Sequence, residues 1–343
     1  MSYCQKKIGI GVIVAILCAV AFYFLYWIKT PVYSLNIIKE SIQKHDTTTF
    51  EKHVDMDTLY VKAFDDSIVA MSRIQGDDTL SNPFAAGIIQ MLKPTVVSAL
   101  KQQTIEFVKG EKESSNKQTN EANNMAKGMK DKVAVDKSEL KDISVISKDG
   151  NESIVSIKIY NKQLTKDFNI KVKMTKLDDG TWKLREISNL VDFLIELDKA
   201  EKAKLAELNK PIMEELKNAL SSTSTMQLRS DGNPFFASYW LEYDFSIKNS
   251  TDKEITKFYS KVSVLGPNGK ILKSNNLRYD LGTIKPKSSV KLSYKANLNQ
   301  FIDNEKLIID NPADKKLIVE ISSIIYANGK EVKILDKLPE VNE

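Results

Sequence analysis

The sequence predicts an α+β protein in three parts: an N-terminal transmembrane helix, a domain of helices followed by an antiparallel sheet, and an all-β sandwich. Three observations predict it. Residues 8–28 carry no charge. Apolar residues between 31 and about 110 recur at helical spacing, and from Val155 onward, with one helical interruption, they alternate with polar ones. With 343 residues, 42% hydrophobic and 28% charged, the chain is long enough for an anchor and two domains that each bury a core.

The uncharged run IGIGVIVAILCAVAFYFLYWI would form a helix of about 21 residues, which at about 1.5 Å per residue just spans a ~30 Å hydrocarbon core. Lys6 and Lys7 precede it, so the positive-inside bias keeps residues 1–7 in the cytosol and places the body outside. The expectation is a single-pass protein of the bacterial inner (plasma) membrane, with Tyr26 and Trp27 at the headgroups. Ala19-Val20-Ala21 also fits a small-x-small cleavage site, but cleavage there would leave FYFLYWI as an exposed apolar end, which favours a retained anchor. Either way the body is exported. A lipoprotein site at Cys18 wants a small residue before it, and Leu17 is not small. Gly11, Ala15 and Ala19 share a face that would allow a homodimer, although small residues are common in any such helix.

The net charge of +5 comes from 50 basic and 45 acidic residues mixed along the chain, which argues against nucleic acid as a partner. Cys4 and Cys18 lie in or before the apolar run. The body therefore has no thiol for a disulfide, a zinc-thiolate site or a nucleophile, and its stability must come from packing.

Pro31 opens a first helix with Leu35, Ile38 and Ile42 on one face. Asp46 or Thr47 caps a short second helix carrying Phe50, His53 and Val54, and Asp55 caps a third over about 56–74, stopped by Gly76. Asn82-Pro83 opens a fourth, which Pro94 kinks or splits and Gly110 closes. Pro31, Tyr33, Ile37 or Ile38, Ile42, Asp46, Phe50, Val54-Asp55 and Asn82-Pro83-Phe84-Ala85-Ala86, in that order, resemble a family of uncharacterised bacterial membrane-anchored proteins known only as a domain of unknown function. The likeness covers about residues 26–110. It implies an anchor and an exported domain, and it transfers no catalytic residue.

Residues 111–137 are too polar to repay the entropy of ordering and are expected as a mobile loop within the first domain. Strands follow: Val155, Ile157 and Ile159, then Phe168, Ile170, Val172 and Met174, alternate with polar residues, with turns at Asp149-Gly150 and Asp178-Asp179-Gly180. Helices before an antiparallel sheet that ends in DGTWKLREI resemble the NTF2-like cone, which implies a pocket but no particular activity. A charged helix with Leu190, Leu194, Leu197, Leu205 and Leu208 comes next, restarts at Asn209 and Pro211, and ends at the polar run 221–225. That run is expected to divide an α+β domain, 31–222, from a sandwich, 226–338.

In the last part Tyr239, Leu241, Tyr243, Phe245 and Ile247 form one buried row. Phe258, Val262 and Val264, then Val290, Leu292, Tyr294, Ala296 and Leu298, then Leu317, Val319, Ile321 and Ile325 form others. About seven strands in about 115 residues suit an immunoglobulin-like sandwich. FSIKNSTDKEI, NGKIL and IKPKSS resemble the immunoglobulin-like modules of bacterial envelope proteins, with their Ile-x-Asn strand end and Ile-x-Pro-x-Ser turn. The resemblance implies a binding or spacer module.

Few residues offer chemistry. His45 and His53 stand near Asp46, Asp55 and Asp57, but lie on either side of a capped helix break where the carboxylates serve as caps. Asp65-Asp66 point apart on a helix, and Asp77-Asp78 lie in a turn. No phosphate loop, nucleophile elbow or triad is present. No catalytic, cofactor or metal residue is assigned. Trp240, outward on an amphipathic strand, is either a partner-contact aromatic or covered by a loop. The expectation is a non-catalytic, membrane-anchored binding or scaffold protein of the bacterial envelope, with another envelope protein or a glycan as partner. The alternative is a small-ligand receptor or enzyme using a pocket in the α+β domain.

Overall fold

A computed structural model describes residues 26–76, 83–111, 138–233 and 237–339. The chain divides into two units between Lys202 and Ala203. The first is α+β, helices before sheet; the core of the second is a β-sandwich.

The expected membrane-spanning helix is corrected. No helix among the described residues is long and apolar enough to cross a membrane. Residues 8–25, with Gly11, Ala15 and Ala19, lie outside the described residues. Tyr26 and Trp27, expected at headgroups, belong to a turn and to a single 3-10 turn, Trp27–Lys29. The reason is local hydrogen bonding: the Thr30 hydroxyl donates to the Trp27 carbonyl (2.8 Å) and accepts from the Tyr33 amide (3.1 Å), capping a new helix with Pro31 in its first turn.

That helix, α1 (Pro31–Gln43), is followed by α2 (Thr47–His53), α3 (Met56–Gln75) and α4 (Pro83–Lys109). Asp46 caps α2 through the Thr49 amide (3.0 Å), and Asp55 caps α3 through the Thr58 amide (3.2 Å). Gly76 ends α3 at φ 62°. Pro94 does not split α4, which runs unbroken past it. Phe64 on α3 and Val96 on α4 are fully buried against each other, with Ile68 and Leu92 beside them.

The sheet is an antiparallel meander, β1 (Ser138–Asp149), β2 (Glu152–Asn161), β3 (Lys166–Lys176) and β4 (Trp182–Ile187), in that spatial order. Residues 112–137, expected as a mobile loop, lie outside the described residues. Leu35 and Ile38 of α1 cover Val155, Val172, Met174 and Trp182. Trp182 is fully buried: its backbone N–H donates to Ser34 Oγ (2.8 Å) and its indole N–H to the Lys29 carbonyl (2.9 Å).

Helix α5 (Leu190–Ala219) carries the chain into the second unit and continues through Pro211, where a break was expected. In the first unit its Phe193 meets Phe168 edge-on at 5.9 Å. In the second, Leu216 and Ala219 join the sandwich core, and Asn209 exchanges two hydrogen bonds with the Leu335 backbone (2.9 and 2.7 Å).

The polar run 221–225, expected to divide the domains, lies instead within β5 (Leu220–Ser230), paired along its length with β6 (Tyr239–Asn249). Its threonines suit a strand, and every second residue is half-buried. The remaining strands are β7 (Ile255–Leu265), β8 (Ile271–Tyr279), β9 (Ser289–Leu298), β10 (Lys316–Tyr326) and β11 (Glu331–Lys333), with a helix α6 (Asp303–Asp310) between β9 and β10. They form two antiparallel sheets, β5-β6-β9 and β11-β10-β7-β8, around one core. The expected inward rows of β6 and β7 are buried. On β10 a bulge between Ile321 and Ser323 turns Ile324, rather than Ile325, onto Phe258 and into the core.

Because β5, Leu216 and Ala219 belong to the sandwich, a fragment beginning at Ala203 should melt cooperatively. One beginning at Met226 should be destabilised by several kcal/mol or fail to fold, given about 2–5 kcal/mol for each large core side chain lost. Equal melting curves for the two fragments, read by circular dichroism, would contradict this assignment.

Candidate functional site

Both histidines are tied to backbone carbonyls. His45 Nδ1 donates to the Val108 carbonyl (2.9 Å), and its ring lies so close to Gly110 that a Cβ there would be 2.5 Å away. His53 is 3% exposed and its Nδ1 donates to the Thr49 carbonyl (2.9 Å). Asp65 binds Lys93 (2.7 Å) and Asp66 binds Lys62 (3.0 Å), so the two carboxylates serve different lysines. Asp57 pairs with Lys101, and Asp55 with Arg185 (3.2 Å). Asp77 and Asp78 lie outside the described residues. Among the described residues no group of three His, Cys, Asp or Glu side chains is placed to hold a metal ion.

Trp240 stands half-buried on the outer face of β6. Its indole N–H donates to Glu242 Oε1 (3.3 Å), and the Lys295 ammonium lies 5.6 Å from its ring centroid. Glu242 also accepts from Arg229 Nε (3.0 Å) and Lys295 Nζ (3.1 Å). Arg229, then Trp240 and Lys295, hold its carboxyl at a pKa of about 2. The aromatic is therefore engaged by neighbours on its own sheet.

Clefts open on the sandwich. The first, about 410 Å³, lies between the 266–270 turn and the C-terminal end of α6 with the residues that follow it. Its Asp310 is bonded to Lys306 (2.8 Å), and its Asp314 to Lys315 and Asn311. These carboxylates are already neutralised by the chain's own groups.

The second cleft follows from strand order. Strands β8 and β9 are each the last in their sheet, and no described strand pairs with their outer edges. Between them the core opens as a cleft of about 130 Å³ lined by Phe245, Phe258, Leu277, Tyr279, Leu281, Leu292, Tyr294 and Val319. Leu281 is 83% exposed and Tyr294 38%, although Tyr294 stacks flat on buried Tyr243 with ring centroids 6.1 Å apart. Burial, with Tyr294 and Glu305 nearby, pushes the Tyr243 hydroxyl up to about 12. The other end of the same gap is closed by α6, whose Ile308 is fully buried. Glu305 holds α6 there, accepting from Lys273 Nζ (2.6 Å) and from the Asn299 amide (2.6 Å).

Sequence reasoning placed Tyr294 and Leu292 in a buried row but missed α6 and this cleft. The acidic first turn Asp303 and Glu305 ahead of Leu307-Ile308 was the available signal for α6. Nothing local marks which strands end their sheets.

A family model described as a protein of unknown function (DUF2939) matches residues 19–108, which include α1 to α3 and nearly all of α4. No curated protein matches the chain. Among solved structures, structural-genomics target SoR45 is 13% identical and covers 37% of this chain and 96% of its own, at a TM-score of 0.24. The putative ApaA protein of Bordetella pertussis is 12% identical, covers 34% of this chain and 91% of its own, at a TM-score of 0.22. At these TM-scores neither bears on fold or function.

The Glu242 carboxylate titrates at about 2 when folded against 4.5 unperturbed. Its stabilising contribution is therefore present above about pH 4.5 and is lost as pH falls toward 2. Replacing it, Glu242→Gln, should flatten that part of the acid-unfolding profile, and an identical profile in the variant would show the cluster to be inert. Replacing His53 by Ala should lower stability by about 1–3 kcal/mol, because the Thr49 carbonyl and the buried space both lose their occupant.

Proposed function

We propose that the protein is a non-catalytic binding or scaffold protein that works through the open side of its sandwich and engages another protein there. The observation that carries this reading is the apolar cleft between β8 and β9: a cleft floored by core side chains, with Leu281 almost fully exposed beside it, is what a docking surface offers. The immunoglobulin-like character of the module is part of the same proposal. It is supported by the strand order and by Asn249, whose amide donates to the carbonyls of Lys253 (2.8 Å) and Ile284 (3.0 Å). That bond joins the Ile-x-Asn strand end to the Ile-x-Pro-x-Ser turn. A location outside the cytosol is also proposed. It rests on Lys6 and Lys7 ahead of an uncharged run, the composition of an export signal, and on a body without cysteine.

A photo-reactive amino acid placed at Leu281 in the full-length protein in its native cells tests the binding reading. It should yield a discrete adduct that the same group at Val145, exposed on β1 of the first unit, does not give. No adduct from Leu281, together with loss of the cellular phenotype in a His45→Gln, His53→Gln double variant at unchanged protein level, would replace the reading with a histidine-dependent site. A reporter active only outside the cytosol, fused after Glu343, should be active, and activity of a cytosolic reporter there would overturn the location.

A further inference from the structure

We infer that the open side of the sandwich takes up an extended segment of the partner protein as an added strand along β9, with apolar side chains at alternate positions and carboxylates between them. This deepens the binding reading and rests on it. Strand β9 pairs with β6 in unbroken register from Ser289 to Leu298, and no described strand occupies its other edge. An unpaired edge offers a row of backbone donors and acceptors that an extended peptide can complete. Side chains of an added strand would fall alternately on the two faces of the sheet. Those on the inner face would lie beside Leu292 and Tyr294, over the cleft. Those on the outer face would stand beside Lys291 and Lys295.

Two observations select the chemistry of the occupant. At the closed end of the same gap the chain's own α6 inserts an apolar side chain, Ile308, and sets a carboxylate, Glu305, on Lys273 and the Asn299 amide. One end of the gap is thus already filled by the combination proposed for the other end. At the open end Lys291 is a cation with no ion-pair partner among the described residues, while Lys295 is bound to Glu242, Arg278 to Asp280, and Asp244 accepts from Ser293 Oγ (2.6 Å). A second copy of this chain paired along β9 would bring these lysines against one another, so like charges disfavour a homodimer through this edge.

The test uses the full chain and three short labelled synthetic peptides: one alternating valine and glutamate, one alternating valine and lysine, and one with the first composition in two blocks. Fluorescence anisotropy should show saturable binding of the valine-glutamate peptide, weaker binding of the block peptide and weakest binding of the lysine peptide. The double reversal Lys291→Glu, Lys295→Glu should weaken the valine-glutamate peptide about tenfold and invert the preference between glutamate and lysine peptides. Leu281→Asp, at an exposed position, should weaken every alternating peptide while leaving the melting temperature unchanged. A valine-glutamate peptide that binds no better than its block isomer, or a preference that survives the charge reversal, would overturn strand addition. If Leu281 cross-links in cells while the peptides fail in this way, the binding reading stands and only the strand geometry is lost.

Discussion

Two sheets of unequal width cannot cover each other, and the second unit is organised around that constraint. The sheet β5-β6-β9 has three strands and β11-β10-β7-β8 has four, and among the described residues no strand bridges the gap between the edge strands β8 and β9. Helix α6 supplies part of the cover. Its anchor, Glu305, is 13% exposed and its partner Lys273 15%, a pair that costs desolvation and is repaid only because the Asn299 amide also binds the carboxylate. The rest of the gap stays open, with exposed Leu281 and Tyr294 beside buried Phe245 and Phe258. A fold that needed only stability would gain by filling it, since each methylene withdrawn from water contributes about 0.8 kcal/mol.

The first unit is organised around a single tryptophan. Trp182 reaches back across the sequence to Lys29 and Ser34, fixing the start of the first helix to the last strand of the sheet. Asp179, two residues before Thr181 in the turn leading into that strand, is bound by Lys52 (2.6 Å) and by Thr181, which hold its carboxyl well below the usual carboxylate range. These ties explain why a chain with so polar a middle segment still closes: the helices reach the sheet through a few long-range hydrogen bonds as well as through Leu35, Ile38 and Val54.

Most strands were legible because alternation survives in sequence wherever one face of a sheet is buried, as in Tyr239 to Ile247. Caps were legible too, since Asp46 and Asp55 are read by residue type and position alone. Other features were not. Pro211 removes one donor from α5, yet the helix runs on. The Ser/Thr run 221–225 resembles a linker in composition but is held as a strand by full pairing with β6. The β10 bulge shifts the inward row by one residue, which no periodicity reveals. Trp240 gave no sign that Glu242 and Lys295 would engage it, because these neighbours meet only across strands. The cleft itself was beyond reach for a general reason: whether a strand ends its sheet depends on tertiary pairing, and the residues of β9 would read the same with a neighbour on either side.

Everything proposed for the second unit depends on the outer edge of β9 being uncovered in the free protein. Amide hydrogen exchange on the full chain, resolved residue by residue, tests it most directly. An uncovered edge gives slow exchange for β6 throughout and, along β9, rapid exchange of the amides that face away from β6, with protection returning toward Leu298 where α6 closes the gap. Uniformly slow exchange along both edges of β9 would show that something already covers it, and would contradict the claim.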